Sequence, residues 1–218
     1  MADQRLLLSD PQGRVWIWQQ PSNRLSSLSA EISAYTARQL ADDRLLLFGK
    51  GGFYLVSADL QHVRFQAIDI LQQQAFQSIN AHFVDPSTQL LYVATYYGLV
   101  EVNLSTGAQR VFNLGGLKNQ LVTIVNIMAA PQGKLWLLTR SDGLLQLEPE
   151  QARWQHFATD HLPGQTFFDF TTDAESRLWF ASDQGAFRLQ LVAGQLTLDS
   201  PVLGITANHS EVRSVHLS

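Results

Sequence analysis

The chain contains no cysteine, which removes disulfides, thiolate metal sites and cysteine nucleophiles from consideration. Charge is scarce: Asp, Glu, Lys and Arg make up 16% of its 218 residues, against roughly 25% in an average soluble domain. Only 3 of its 15 basic residues are lysine, no basic run occurs, and the net charge is −4. Nothing in that balance attracts phosphate backbones or an anionic membrane, so no nucleic-acid partner is expected. Long apolar runs are missing as well. The longest, residues 121–130, is interrupted by Thr123 and Asn126 and is too short to span a bilayer. The N-terminal residues hold no basic segment followed by an apolar stretch, so neither a secretion signal nor direct membrane insertion is expected. Local catalytic motifs are absent too. The histidines, His62, His82, His156, His161, His209 and His216, form no His-x-His and no i, i+4 pair with a glutamate. No Gly-x-Ser-x-Gly elbow or phosphate-cradling glycine loop occurs. The sequence therefore gives no reason to expect a metal, a cofactor or a catalytic residue, although carboxylates and histidines from different repeats can still meet.

What the chain does have is apolar content and repetition. Hydrophobic residues make up 45%, enough for a sizeable core, and 22 glutamines supply much of the polar surface without charge. Three stretches are versions of one pattern: Gln89-Leu90-Leu91-Tyr92-Val93-Ala94-Thr95, Lys134-Leu135-Trp136-Leu137-Leu138-Thr139 and Arg177-Leu178-Trp179-Phe180-Ala181-Ser182, followed by Gly98, Gly143 and Gly185 respectively. The aromatic anchors lie 44 and 43 residues apart and the glycines 45 and 42. A period in the low forties with strand chemistry is the mark of a β-propeller blade. The fold expected is all-β, a propeller of four-stranded antiparallel blades forming one domain.

Alternating patterns separated by Gly and Pro turns place the strands. The blades are expected at about 33–68, 78–113, 123–158 and 167–199, preceded by a first blade at 5–30 that has only three strands. Arg5-Leu6-Leu7-Leu8 and Arg44-Leu45-Leu46-Leu47 match each other at an offset of 39, which is how the two diverged copies reveal themselves. Residues 211–217 read as the opening strand of a further copy. If they pair with the first blade, about five blades close into a ring, which would cover otherwise open strand edges. The same count also describes a partial ring cut from a longer propeller.

Residues 170–187, with Asp173, Leu178-Trp179, Ser182 and Gly185, and the equivalent run around Leu135-Trp136, Thr139 and Gly143, resemble the two-component regulator propeller repeat. The resemblance is good over residues 78–198 and weak over 5–68, and Ala130 replaces the repeat's aspartate in the fourth copy. It implies an input module of a bacterial sensor, placed outside the cytoplasm ahead of a membrane segment and a histidine kinase or diguanylate cyclase output domain. Its propellers usually have more than five blades. Ser9-Asp10-Pro11-Gln12-Gly13-Arg14-Val15-Trp16 is similar to an Asp-box turn, but its sequence does not recur.

The repeated aromatics Tyr92, Trp136 and Trp179 are expected to fill space between blades. The glycines are expected to supply a backbone conformation closed to other residues, and Thr95, Thr139 and Ser182 to hydrogen-bond locally. Functional residues are sought instead where the copies differ, in loops that converge on one face. Between second and third strands these are Lys50, Tyr96, Tyr97, Arg140, Asp142 and Asp183. Rings beside an arginine and carboxylates suit a carbohydrate or another polar small molecule; a protein partner is the other option. A second set comes from the first strands. Aligning Ile127, Phe170 and Val215 puts Asn126, Asp169 and Ser214 level, with Thr36, Asn80 and Ala81 nearby in the weaker copies. Lys118, Asn119 and His161, in the connections between blades, join the same expected face. The function expected is a non-enzymatic sensor that binds a ligand or partner. The alternative is a small propeller lyase or hydrolase acting on a polar metabolite, and a cytoplasmic location remains the alternative to an extracytoplasmic one.

Overall fold

The computed structural model describes residues 4–10, 12, 14–20, 22–28, 32–114, 123–140, 142–157, 166–175, 177–192, 195–200 and 213. Its architecture is all-β. Strands β1 (Gln4–Ser9), β2 (Val15–Gln20) and β3 (Arg24–Ser27) form a three-stranded antiparallel sheet in that order. Four four-stranded sheets follow. The first contains β4 (Thr36–Gln39), β5 (Leu45–Gly49), β6 (Gly52–Val56) and β7 (Val63–Ala67), and the second β8 (Ile79–Asp85), β9 (Leu90–Thr95), β10 (Gly98–Asn103) and β11 (Gln109–Phe112). The third contains β12 (Ile124–Ala130), β13 (Lys134–Thr139), β14 (Leu144–Glu148) and β15 (Arg153–Phe157), and the last β16 (Phe167–Thr172), β17 (Leu178–Ser182), β18 (Gly185–Val192) and β19 (Gln195–Ser200). Within each sheet the spatial order is the chain order, as in successive propeller blades. Apart from Arg213, the expected strand 211–217 lies outside the described residues, as do Lys118, Asn119 and His161.

The chain forms two compact units: Met1–Ile79 with Pro86–Leu90 and Val102–Gln109, and Asn80–Asp85 with Leu91–Glu101 and Arg110–Ser218. In the first, Val15, Ile32, Ala34, Leu45, Leu47 and Val56 make an apolar cluster. In the second, Trp136, Leu138, Leu144 and Phe157 of the fourth sheet pack with Phe167, Phe170, Leu178, Phe180, Phe187 and Leu189 of the fifth. The rings of Phe180 and Phe187 stack 5.5 Å apart. Strands β5, β9 and β13 are almost wholly buried, which is why they read as continuous apolar runs and not as alternating ones.

One local device repeats at the end of the second strand. The hydroxyls of Thr95, Thr139 and Ser182 donate to the carbonyls of Gly98, Gly143 and Gly185 at 2.9, 2.7 and 3.0 Å. They accept in turn from the backbone N–H of Tyr97, Asp142 and Gln184. All three hydroxyl residues are fully buried, so the clip satisfies groups that water cannot reach. The three glycines have φ of 138°, 85° and 115°, conformations that favour residues without a side chain. In the second blade Gly49 stands at the hydroxyl position, because a Cβ there would lie 2.3 Å from the Ser33 carbonyl.

A second device joins the first two strands of two sheets, and it corrects the expectation that the Asp-box-like pattern does not recur. Asp10 accepts from the N–H of Gln12 and Arg14 and from the Arg14 guanidinium. Asp173 accepts from Glu175, Arg177 and the Arg177 guanidinium in the same way. The shared signal is Asp-x-x-x-Arg-x-Trp, which spans Asp10 to Trp16 and Asp173 to Trp179.

Candidate functional site

The turns that carry the variable residues are tied down. Arg140 donates its N–H to the Thr123 carbonyl, and its own carbonyl accepts from Phe167. Asp183 donates its N–H to the Thr166 carbonyl, while its carboxylate accepts from Thr166 N–H at 3.2 Å. Each turn is thereby stapled to the entry of a first strand, and the Asp183 carboxylate is already engaged in that staple. Asp142 is 6% exposed, and its carbonyl lies 2.5 Å from Nε2 of His156 on β15. Arg140 is exposed, and Tyr96 and Tyr97 are half-buried. Lys50 is exposed in the first unit, on a turn locked by Gln72 Nε2 donating to the Gly51 carbonyl and Gly51 N–H donating to the Gln77 carbonyl. Tyr96, Tyr97, Asn126, Arg140, Asp142, Asp169 and Asp183 belong to the second unit.

The pair that the structure joins directly is Asn126 and Asp169. Strands β12 and β16 each carry a bulge at the same place: the register slips between Ile124 and Asn126 in one and between Phe167 and Asp169 in the other. The extra residues are Val125 and Phe168. A bulge re-aims the side chain that follows it, and here it sets the two polar side chains level. Asn126 Nδ2 donates to Asp169 Oδ1 at 2.6 Å and to the Phe170 carbonyl at 3.2 Å. Each side-chain oxygen also accepts from the next residue's own N–H, Ile127 at 2.7 Å and Phe170 at 2.9 Å. The result is a ladder of Asx side chains across two first strands, half-buried and therefore both ordered and reachable.

Three further residues of this region were not among those expected. Phe168 is the bulge residue beside Asp169, and the Arg213 guanidinium lies over its ring, 5.3 Å from the centroid. Asp173, with Trp179 Nε1 donating to it at 3.0 Å, sits at the far end of β16. Burial pushes its carboxyl up, but the hydrogen bonds from Trp179 and from the Arg177 backbone and guanidinium outweigh that and hold its pKa at about 2. The signal for Asp173 was in the sequence, in its spacing from Arg177 and Trp179. A two-versus-one bulge leaves no comparable signal in a single sequence. Among the described residues, no group of three or more His, Asp or Glu side chains is placed to hold a metal ion.

No family model and no curated protein sequence matches the chain. Solved structures do. The extracellular domain of the one-component system BT4673 from B. thetaiotaomicron superposes with a TM-score of 0.70 at 15% identity, over 96% of this chain and 28% of that one. The fold is a β-propeller. The extracellular domain of the hybrid two-component system BT3049 from the same organism gives 0.62 at 16% identity, over 88% of this chain and 29% of that one. Virginiamycin B lyase from Staphylococcus aureus gives 0.66 at 11% identity, over 97% of this chain and 77% of that one. At these identities the likeness concerns the propeller alone, and the same propeller serves sensors and a lyase. The chain spans under a third of the length of the two sensor domains. Among its described residues, no helix is long and apolar enough to cross a membrane.

Proposed function

We propose that this propeller is the ligand-binding input portion of a bacterial signal-transduction protein, acting outside the cytoplasm and passing the binding event to an output domain of its parent protein. The observation that carries the proposal is the Asn126–Asp169 ladder. Two polar side chains on neighbouring first strands are held by matching bulges, fully oriented by hydrogen bonds, and only half-buried. A preorganised pair of this kind suits the hydroxyl or amide groups of a polar small molecule, since little side-chain freedom is lost on binding. The repeat resemblance and the propellers found in extracellular sensor domains agree with an input role. Signalling requires no chemistry here, only different affinities of the ligand for two arrangements of the neighbouring domain.

The test is a thermal-shift screen of the full chain against polar metabolites and short oligosaccharides. A ligand at about 100 times its Kd adds roughly 2.7 kcal/mol to stability, a readily measured rise in Tm. Asn126→Ala and Asp169→Asn should each abolish that rise, whereas the turn double variant Tyr97→Ala, Arg140→Ala should leave it. Loss in the turn variant alone would move the site to the turns. Steady turnover of the ligand by the isolated chain, lost in Asp169→Asn, would replace the sensor by a propeller lyase or hydrolase.

A further inference from the structure

We infer that a cleft between the first two sheets binds a small single-ring aromatic molecule carrying one hydroxyl group, at a site independent of the Asn126–Asp169 pair. The cleft has a volume of about 140 Å³ and lies between β1 and β2 on one side and β4 and β5 on the other, all within the first unit. An apolar cavity of about 150 Å³ in a protein core takes up benzene. The repeat explains why there is room. Ala37 pairs with Leu47 across β4 and β5, as Ile127 pairs with Leu137 and Phe170 with Phe180 in the fourth and fifth sheets. Three residues before these stand Ala34, Ile124 and Phe167 in turn. The four large side chains, Ile124, Ile127, Phe167 and Phe170, are 3% exposed or less, whereas Ala37 is exposed. The second sheet keeps the backbone register of the repeat and omits the side chains that close it elsewhere, so a cleft opens over Val15 and Leu47.

The lining selects the guest. Leu7, Leu8, Val15 and Leu47 supply apolar surface, which gains from being covered by an apolar group. Tyr35 lines the cleft as well. Its hydroxyl accepts from Ile79 N–H at 2.9 Å and donates to the Gly49 carbonyl at 3.3 Å, so the ring is fixed while the residue stays 51% exposed. An aromatic guest meets that ring edge to face or offset, with a gain beyond the area covered. The remaining polar side chain of the lining is Thr36, which is exposed and stands one residue before Ala37, as Asn126 stands before Ile127 and Asp169 before Phe170. A ring seated at Ala34 and Ala37 can exchange a hydrogen bond with that hydroxyl through one polar substituent. A sugar, with hydroxyls all round its ring, would press several of them against leucine and valine without partners, which is costly. The cleft therefore suits a phenol and not the polar ligands proposed for the Asn126–Asp169 pair.

The experiment is calorimetric titration of the full chain with phenol, toluene and glucose, with the methyl NMR signals of Leu7, Leu8 and Leu47 locating the bound ring. Phenol should bind with a Kd at or below about 1 mM and shift those methyl signals, and glucose should leave them in place. Ala37→Phe gives β4 the side chain that β16 carries; it should weaken phenol by about tenfold or more with Tm equal or higher, because filling a cavity stabilises. Ala37→Ile, the smaller side chain of β12, should weaken phenol in the same way and keeps the test open if the phenylalanine overfills the cleft. Thr36→Val should weaken phenol about two- to tenfold and leave toluene unchanged. If phenol leaves the methyl signals of the unaltered chain unmoved, or binds both Ala37 variants as tightly as the unaltered chain, the site falls. If Thr36→Val affects phenol and toluene alike, the hydroxyl requirement falls. Asp169→Asn should leave phenol binding unchanged, which separates the fate of this cleft from that of the Asn126–Asp169 pair.

Discussion

The fourth and fifth blades are copies of one repeat, yet their signature tryptophans live in different surroundings. Trp136 is 4% exposed, lies 5.5 Å from the Phe157 ring, and belongs to the apolar cluster that contains Phe167, Phe170 and Phe180. Trp179 is half-buried; its Nε1 donates to Asp173 and the Arg188 guanidinium lies 5.3 Å from its ring centroid. Both sit at the same place on a second strand. What differs is the company on that face. Trp136 pairs across the sheet with Gln146 and is followed by Leu138 opposite Leu144, both fully buried. Trp179 pairs with Arg188 and is followed by Ala181 opposite Ala186. The repeat sets the position of the ring, and the neighbouring side chains decide whether it becomes core or the centre of a polar network. The expectation that both rings pack in the core holds for Trp136 and is corrected for Trp179.

The sharpest way to break this comparison is to truncate both rings. Trp136→Ala should cost about 3–5 kcal/mol by chemical denaturation, because it empties a packed apolar site. Trp179→Ala should cost clearly less, since its site is already partly open to water; equal losses would mean that the two environments are equivalent after all. Next in size is the hydroxyl clip, which the two blades share. Thr139→Val and Ser182→Ala each remove the buried hydroxyl that accepts from the Asp142 or Gln184 N–H and donates to the glycine carbonyl, which costs about 1–3 kcal/mol. The two losses should agree with each other even though the tryptophan losses do not. A large loss in one blade and none in the other would show that the clip is not the common element it is taken to be.

The parts that were legible from sequence are those set by local chemistry. Blade spacing, strand positions and the hydroxyl–glycine clip follow from Trp136, Thr139, Gly143 and their counterparts, because turn conformation and burial of an apolar run depend on a few adjacent residues. Asn126 and Asp169 could be aligned, but their contact depends on two bulges. A bulge is a register event between strands, which one chain's sequence does not display. Arg213 escaped notice for a related reason: its partner, Phe168, lies 45 residues earlier and reads as an ordinary apolar residue in a Phe-Phe-Asp-Phe run. The turn residues present the opposite case. Asp183 stood out because it breaks the repeat, and its carboxylate turns out to fasten Thr166.

The smallest difference between the two blades concerns acid. Blade five has Asp173 where blade four has Ala130, so it alone of the two carries a carboxylate in its first hairpin. In the folded chain burial works against ionisation of Asp173, yet the hydrogen bonds from Trp179 and Arg177 prevail and bring its pKa from 3.8 to about 2. A carboxyl whose folded pKa lies below its unfolded value stabilises the fold fully above the unfolded value, and loses that contribution as pH falls through the folded one. The window therefore runs from about pH 4 down to about pH 2. Thermal melts of the unaltered chain and of Asp173→Asn should show the unaltered chain losing more Tm across that window, with the two curves running parallel above it. Curves that stay parallel throughout would mean that Asp173 is not held by Trp179 and Arg177. The polar setting of Trp179, and with it the contrast between the blades, would then have to rest on Arg188 alone.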